Sequence, residues 1–177
     1  MEHLGILAAF TGSYLVGSVP TAYLVVKRLK RVDVRTIGSG NVGATNVTRV
    51  AGLWAGISVF LVDLAKGLVA VQVLGPWLIH PLTPTLQFSC GLAAILGHAF
   101  PVFLNFRGGK GVATTIGVLI GTMPIIAGTY LLVWGLVRSP AVSLLGFGLG
   151  FSLVLVSIVG GFASHVRRMM PARSHGR

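Results

Sequence analysis

The 177-residue chain carries fourteen Lys and Arg against three Asp and Glu, a formal net charge of +11, yet hydrophobic residues make up 54% and charged residues only 10%. That apolar content excludes a disordered chain, and the charged share falls well below the roughly one quarter of an ordinary soluble domain. A nucleic-acid binder shares the basic balance but not the long apolar runs, so the composition points to an integral membrane protein with basic loops and no nucleic-acid partner.

In chain order, a first span is expected over residues 4–26, followed by the dense basic stretch Lys27, Arg28, Lys30, Arg31 and Arg35. Its length and trailing charge argue against a cleavable signal peptide. Residues 36–49 are polar and rich in glycine, and a second span runs over 50–74. Gly75, Pro76, Pro81 and Pro84 mark a short connection, and a third span covers 85–104. The tight loop Asn105-Phe-Arg-Gly-Gly-Lys-Gly111 precedes an apolar stretch over 112–137, where Pro124 either kinks one span or separates two. Ser139 and Pro140 turn the chain into a last span over 141–163, and an arginine-rich tail follows. The single cysteine, Cys90, sits in an apolar run and reads as packing.

The expected fold is therefore all-α: a polytopic transmembrane helix bundle of about five to seven spans, forming one domain over residues 1–177. With five spans and the N-terminus outside, twelve of the fourteen Lys and Arg fall in inner segments; Arg138 lies outside and Lys66 within a span. The asymmetry places the C-terminus and both glycine-bearing loops on the cytoplasmic side.

Each loop is expected to lead into a helix entering the membrane from that side. Helix N-termini offer unpaired N–H groups and partial positive charge to anions. In the first loop, glycines admit a close backbone approach and Arg49 supplies a two-pronged donor suited to phosphate. The second loop, Arg107-Gly-Gly-Lys-Gly111, is shorter and more basic, but it is not a Walker A loop because Gly111 follows Lys110. From spacing alone, turns, helix packing and topology account for the same residues equally well.

Asp63 and Lys66 lie within the second span at i and i+3, where an unpaired charge is costly; a structural ion pair and a site-lining role both fit. His98, taken alone, reads as a satisfied core histidine near the inner end of the third span. The chain offers no carboxylate pair, no serine–histidine–aspartate set and too few His and acidic residues for a metal site, so neither metal nor organic cofactor is implied. Any reaction here is expected to rely on positioning, charge stabilisation and an activated substrate.

Three segments carry a resemblance: Gly38-Ser-Gly-Asn-Val-Gly-Ala-Thr-Asn-Val-Thr-Arg49, Asp63-Leu-Ala-Lys-Gly67, and Gly97-His-Ala-Phe-Pro-Val-Phe-Leu-Asn-Phe-Arg-Gly-Gly-Lys-Gly-Val-Ala-Thr114. In order and spacing, residues 1–120 resemble the bacterial acyl-phosphate-dependent glycerol-3-phosphate acyltransferases. The resemblance implies transfer of a fatty acyl group from acyl phosphate to the sn-1 hydroxyl of glycerol 3-phosphate, yielding lysophosphatidic acid and phosphate in phospholipid synthesis. It further implies an inner-membrane location, contact with membrane lipids, and coupling to an enzyme that produces acyl phosphate.

By motif match, Ser39, Arg49, Lys110 and His98 would be the catalytic polar groups. Gly40, Asn41, Thr45 and Asn46 would shape the first pocket, and Gly108, Gly109 and Gly111 would join Lys110 in binding phosphate. Asp63 and Lys66 match a family motif with a structural or site-lining role. The tail departs from the pattern: where family members carry Arg-His-x-Glu-Asn-Ile, this chain reads Ser164-His-Val-Arg-Arg-Met-Met-Pro171, with His165 as a partial stand-in. The alternative reading is a non-catalytic membrane protein that binds or transports a phosphorylated metabolite or anionic lipid.

Overall fold

Val19-Pro20 interrupts the first apolar run, because proline lacks an amide donor and its ring disfavours helix in the preceding residue. The computed structural model, which describes residues 2–124 together with 128 and 129, accordingly shows two helices in series, α1 (Glu2–Ser18) and α2 (Thr21–Lys30). They form one apolar segment, His3–Lys30. A 3-10 turn at Val34–Thr36 leads to the first loop and then to α3 (Ala44–Ala51). Helix α4 (Leu53–Val69) continues through a π-helical turn, Ala70–Leu74, into α5 (Gly75–Leu78). Helix α6 (Pro84–Ala99) starts on Thr83, whose hydroxyl accepts from the Leu86 amide at 3.2 Å, with proline in the first helical turn. A 3-10 turn at Val102–Leu104 and the second loop precede α7 (Val112–Thr122). The chain divides into two units, Met1–Ala127 and Gly128–Arg177, and these helices belong to the first.

Among the described residues the fold is all helical, and three segments are long and apolar enough to cross a membrane: His3–Lys30, Leu53–Leu78 and Pro84–Leu104. The expected second span begins too early. Gly52 takes φ +96°, ψ 166°, a region essentially reserved for glycine, and this breaks residues 44–51 off as a separate helix. The first loop therefore opens into α3 rather than directly into a spanning helix. The first span extends beyond residue 26 to Lys30, and the helix of the third stops at Ala99. Helix α7 ends two residues before Pro124, with Met123 outside helical geometry at φ −141°, as the clash with a following proline favours. Residues 125–127, the remainder of the fourth apolar stretch after 129, Arg138, the last span over 141–163 and the tail with His165 lie outside the described residues.

Glycines set how closely the helices pack. A Cβ at Gly17 would strike the Ala94 backbone, and one at Gly97 would strike the backbone of Tyr14 and Ser18, so α1 and α6 cross backbone to backbone. Gly67 stands in the same way against Thr114 and Val118, and Gly117 against Leu64 and Leu68, which joins α4 to α7. Small residues at such crossings supply the close van der Waals contact that drives helix association in lipid. The outer surface is correspondingly apolar, with Leu4, Leu7, Leu24, Leu61 and Leu96 exposed. Trp54 and Trp77 are 79% and 73% exposed near the two ends of one continuous segment. About 35 Å of helix separates them, close to the ~30 Å hydrocarbon thickness that interfacial tryptophans bracket.

Two buried clusters close the ends of the bundle. Ala9, Ile79 and Cys90 pack with Ile6, Leu78 and Leu82 where α1 begins and α5 meets α6. At the loop-bearing end, Ala22, Val26, Val34, Val42, Val47, Val59 and Leu104 form one apolar floor contributed by α2, both 3-10 turns, the first loop, α3 and α4. Replacing Gly97 or Gly117 by valine should destabilise the bundle by about 1–3 kcal/mol through overpacking. Gly43→Ala, with an extended backbone and room for a methyl, should not. Thermal melts of detergent-solubilised protein test the contrast.

Candidate functional site

The first loop is organised by Asn46, a side chain only 2% exposed. Its Oδ1 accepts from the Ser39 amide at 2.8 Å, and its Nδ2 donates to the carbonyls of Val34, Ile37 and Asn41 at 3.1–3.2 Å. Gly38 and Gly40 supply the left-handed turns, φ +62° and +71°, that wrap the chain round this amide. Asn46 thus fixes the course of the loop backbone, while Ser39 and Thr45 stay exposed and Asn41 half-buried.

Asp33 and Arg35 form a forked ion pair at the start of this loop, with Arg35 Nη2 2.6 Å from Asp33 Oδ2 and Arg35 Nε within 3.1 Å of both carboxylate oxygens. The Asp33 side chain also accepts from the Arg35 amide, capping the 3-10 turn. Arg35 holds the Asp33 carboxyl below its ordinary range, chiefly by their side-chain hydrogen bond, and Asp33 raises Arg35 in return.

The second loop starts under strain: Asn105 and Phe106 are consecutive non-glycine residues with positive φ, +53° and +60°. The Gly108 amide then donates to Ala99 O and the Gly109 amide to His98 O, both at 3.1 Å, so two terminal carbonyls of α6 are capped by the loop that follows it. Side chains are excluded there, because a Cβ at Gly108 would meet the carbonyls of His98 and Ala99, and one at Gly109 the His98 ring and Val42 O. Those two amides are committed to α6, whereas those of Lys110 and Gly111 make no hydrogen bond among the described residues. Lys110 is exposed, and Gly111, at φ +73°, turns the chain into α7.

The two loops meet. Gly40 and Val42 of the first, Arg107 and Gly108 of the second, and Asp33, Arg35, Thr36 and Asn105 line a single cleft. Arg49 and Thr45 lie elsewhere, in an open, mostly apolar groove between α3 and α4 with Thr48, Gly56, Ile57 and Phe60. Beneath the cleft, Asp63 and Lys66 are buried, their side chains 3% and 5% exposed and 2.6 Å apart. Lys66 Nζ also donates to Val19 O at 2.6 Å, at the α1–α2 break, and His98 Nδ1 lies 3.8 Å from Asp63 Oδ1.

Sequence reasoning set Arg35 among the topology-setting charges and missed its place, paired with Asp33, in the cleft. The available signal was one acidic residue two positions before an arginine, directly ahead of the glycine loop.

Comparisons with known proteins bear on this geometry. The sequence pattern of a family described as glycerol-3-phosphate acyltransferase matches residues 7–171. The glycerol-3-phosphate acyltransferase of Chlorobium luteolum is 41% identical over 162 residues, covering 85% of this chain and 69% of that protein. That of Myxococcus xanthus is 54% identical over 111 residues, 63% of this chain and 57% of its own. The crystal structure of PlsY, an integral membrane glycerol 3-phosphate acyltransferase in its glycerol 3-phosphate form, superposes with a TM-score of 0.73 at 36% identity, covering 86% of this chain and 77% of that one. A lysophosphatidic acid form of PlsY gives 0.69 at 38% identity, covering 86% and 76%.

Asn46→Ala removes one acceptor and three donor contacts from the loop backbone. It should cost about 2–4 kcal/mol and speed amide exchange at Ser39, read by hydrogen–deuterium exchange. Because the Asp33 pKa is lowered on folding, its contribution is present above the ordinary aspartate range and disappears as pH falls through the folded value. Exchange protection at Val34–Thr36 should therefore fall on acidification below about pH 3.9, and Asp33→Asn should remove that pH dependence.

Proposed function

The chain belongs to the glycerol-3-phosphate acyltransferase family, and from that we propose that it transfers a fatty acyl group from acyl phosphate to the sn-1 hydroxyl of glycerol 3-phosphate. The hydroxyl oxygen attacks the acyl carbonyl carbon, the bond from that carbon to the phosphate oxygen breaks, and lysophosphatidic acid and inorganic phosphate result. The hydroxyl proton passes to a substrate phosphate, so a mixed anhydride with a good leaving group spares the protein a strong base. The observation that carries the reading is the shared cleft, in which glycine-bearing segments of both loops meet with Arg35 and Arg107 beside them.

The two loops and the helices they open into suit two phosphorylated reactants. Lys110, with its uncommitted amide, takes the phosphate of glycerol 3-phosphate, at the N-terminus of α7. Arg49, with Ser39 nearby in sequence at the exposed face of the first loop, neutralises the acyl phosphate. Its groove continues over Ile57 and Phe60 of α4, an apolar surface suited to the acyl chain. His98 borders the second loop from below.

The same reading places the protein in the bacterial inner membrane as a bundle of about five to seven spans, N-terminus outside and C-terminus cytoplasmic. Within the described unit, Lys27, Arg28, Lys30, Arg31, Arg35, Arg49, Arg107 and Lys110 all belong to the loop-bearing end, which supports a cytoplasmic site. An enzyme forming acyl phosphate supplies the donor.

Purified protein in lipid, given labelled glycerol 3-phosphate and palmitoyl phosphate, should form lysophosphatidic acid, and palmitoyl-CoA should not replace the donor. Folded protein that forms none overturns the assignment. Ser39→Ala, Arg49→Ala and Lys110→Ala should each lower turnover at least about tenfold, since each removes a donor directed at phosphate. Near-normal rates in all three would break the site assignment.

A further inference from the structure

Two charges and a histidine lie under the second loop, where neither groove reaches them. Asp63 and Lys66 make their ion pair on α4 at 3% and 5% side-chain exposure, and His98 stands beside it at 9%. Removing two charges from water costs several kcal/mol per ion, and packing alone would be served as well by apolar side chains of similar volume. The pair's neighbours indicate what it holds in place. Lys66 ties the pair to Val19 O, where α1 gives way to α2. Asp63 faces His98 Nδ1, and the other edge of that ring, with Nε2, lies where a Cβ on Gly109 would fall. The His98 carbonyl accepts the Gly109 amide. The ring and the carbonyl of one residue therefore both bear on Gly109.

The far end of the loop is held by the same short motif. Gly67, next to Lys66, lets α4 approach the backbone of Thr114 and Val118 on α7, the helix that the second loop opens into. Ser18 and Thr21, whose hydroxyls are buried without a hydrogen-bond partner among the described residues, line the same small pocket as Asp63, Lys66 and His98. The pocket is thus polar well inside an apolar bundle.

We infer that Asp63 and Lys66 are positioning residues: the buried pair orients His98 and, with Gly67, fixes both ends of the second loop, so that Lys110 presents its donors to the phosphate of glycerol 3-phosphate. Neither side chain touches substrate. The inference rests on the proposed acyl transfer, and it assigns the pair's effect to one substrate of the two.

The test uses full-length protein in lipid nanodiscs, with KM measured separately for glycerol 3-phosphate and palmitoyl phosphate, and melting followed in parallel. Asp63→Asn should raise KM for glycerol 3-phosphate by at least about fivefold and leave KM for palmitoyl phosphate within about twofold. It also leaves Lys66 buried and unpaired, so its melting temperature should fall. The double variant Asp63→Asn/Lys66→Met carries no buried charge. It should regain the melting temperature while keeping the raised KM for glycerol 3-phosphate, because His98 still lacks its carboxylate. Recovery of KM together with stability would overturn the inference, as would equal changes in both KM values. Failure of the double variant to yield folded protein would overturn it too, since the pair would then be holding the bundle rather than the loop. A wild type that turns over normally beside unchanged variants sinks this inference alone, whereas an inactive wild type sinks the acyl-transfer reading.

Discussion

Backbone-to-backbone contact at glycine is the constraint on which the rest of this structure depends. In lipid, apolar side chains gain little by leaving one hydrocarbon environment for another, so helices must find dispersion contact and polar partners instead. Gly17 and Gly97 bring α1 against α6, and Gly67 and Gly117 bring α4 against α7. The same requirement continues outside the helices, where Gly108 and Gly109 allow the second loop to lie on the end of α6 and against Val42. Larger side chains at these positions would separate the very backbones whose proximity forms the cleft.

With the helices that close, an amide and an ion pair are placed at depth with partners in reach. Asn46 distributes its bonds over four backbone groups of one loop. Asp63 and Lys66 satisfy one another, and Lys66 also donates to Val19 O at the break between α1 and α2. Around these sits the valine-rich floor that joins α2, the first loop, α3, α4 and the Val102–Leu104 turn. Apolar burial there fixes where the loops start, while hydrogen bonds fix their internal course. The exposed donors at the surface, Ser39, Arg49 and Lys110, are carried on this support.

Much of this was legible in the residues. Long apolar runs disclosed the three membrane-capable segments among the described residues, and the glycine-bearing basic stretches disclosed the two loops. The separation of α3 from α4 was hidden because Val50-Ala-Gly-Leu-Trp54 reads as uninterrupted apolar sequence, and the backbone angle at Gly52 leaves no trace in hydropathy. Arg35 was hidden for a different reason: a basic residue after a span serves topology and a site equally well. The first loop's polar residues read as groups facing a ligand, yet a loop must first satisfy its own amides and carbonyls, and that requirement claims Asn46. The glycines of the second loop were visible as a phosphate-friendly signature, but two of them serve close packing and helix capping, which spacing alone does not distinguish.

The pairing of the Gly108 and Gly109 amides with Ala99 and His98 has an energetic corollary. The turn is already ordered by the helix it caps, so a reactant bound there as proposed would not have to freeze it out of a coil ensemble. Immobilising a loose five-residue segment on association would forfeit several kcal/mol of affinity to lost backbone freedom. A preorganised turn would avoid that loss, leaving attraction to the donors proposed for this loop to express itself as rapid capture and orientation.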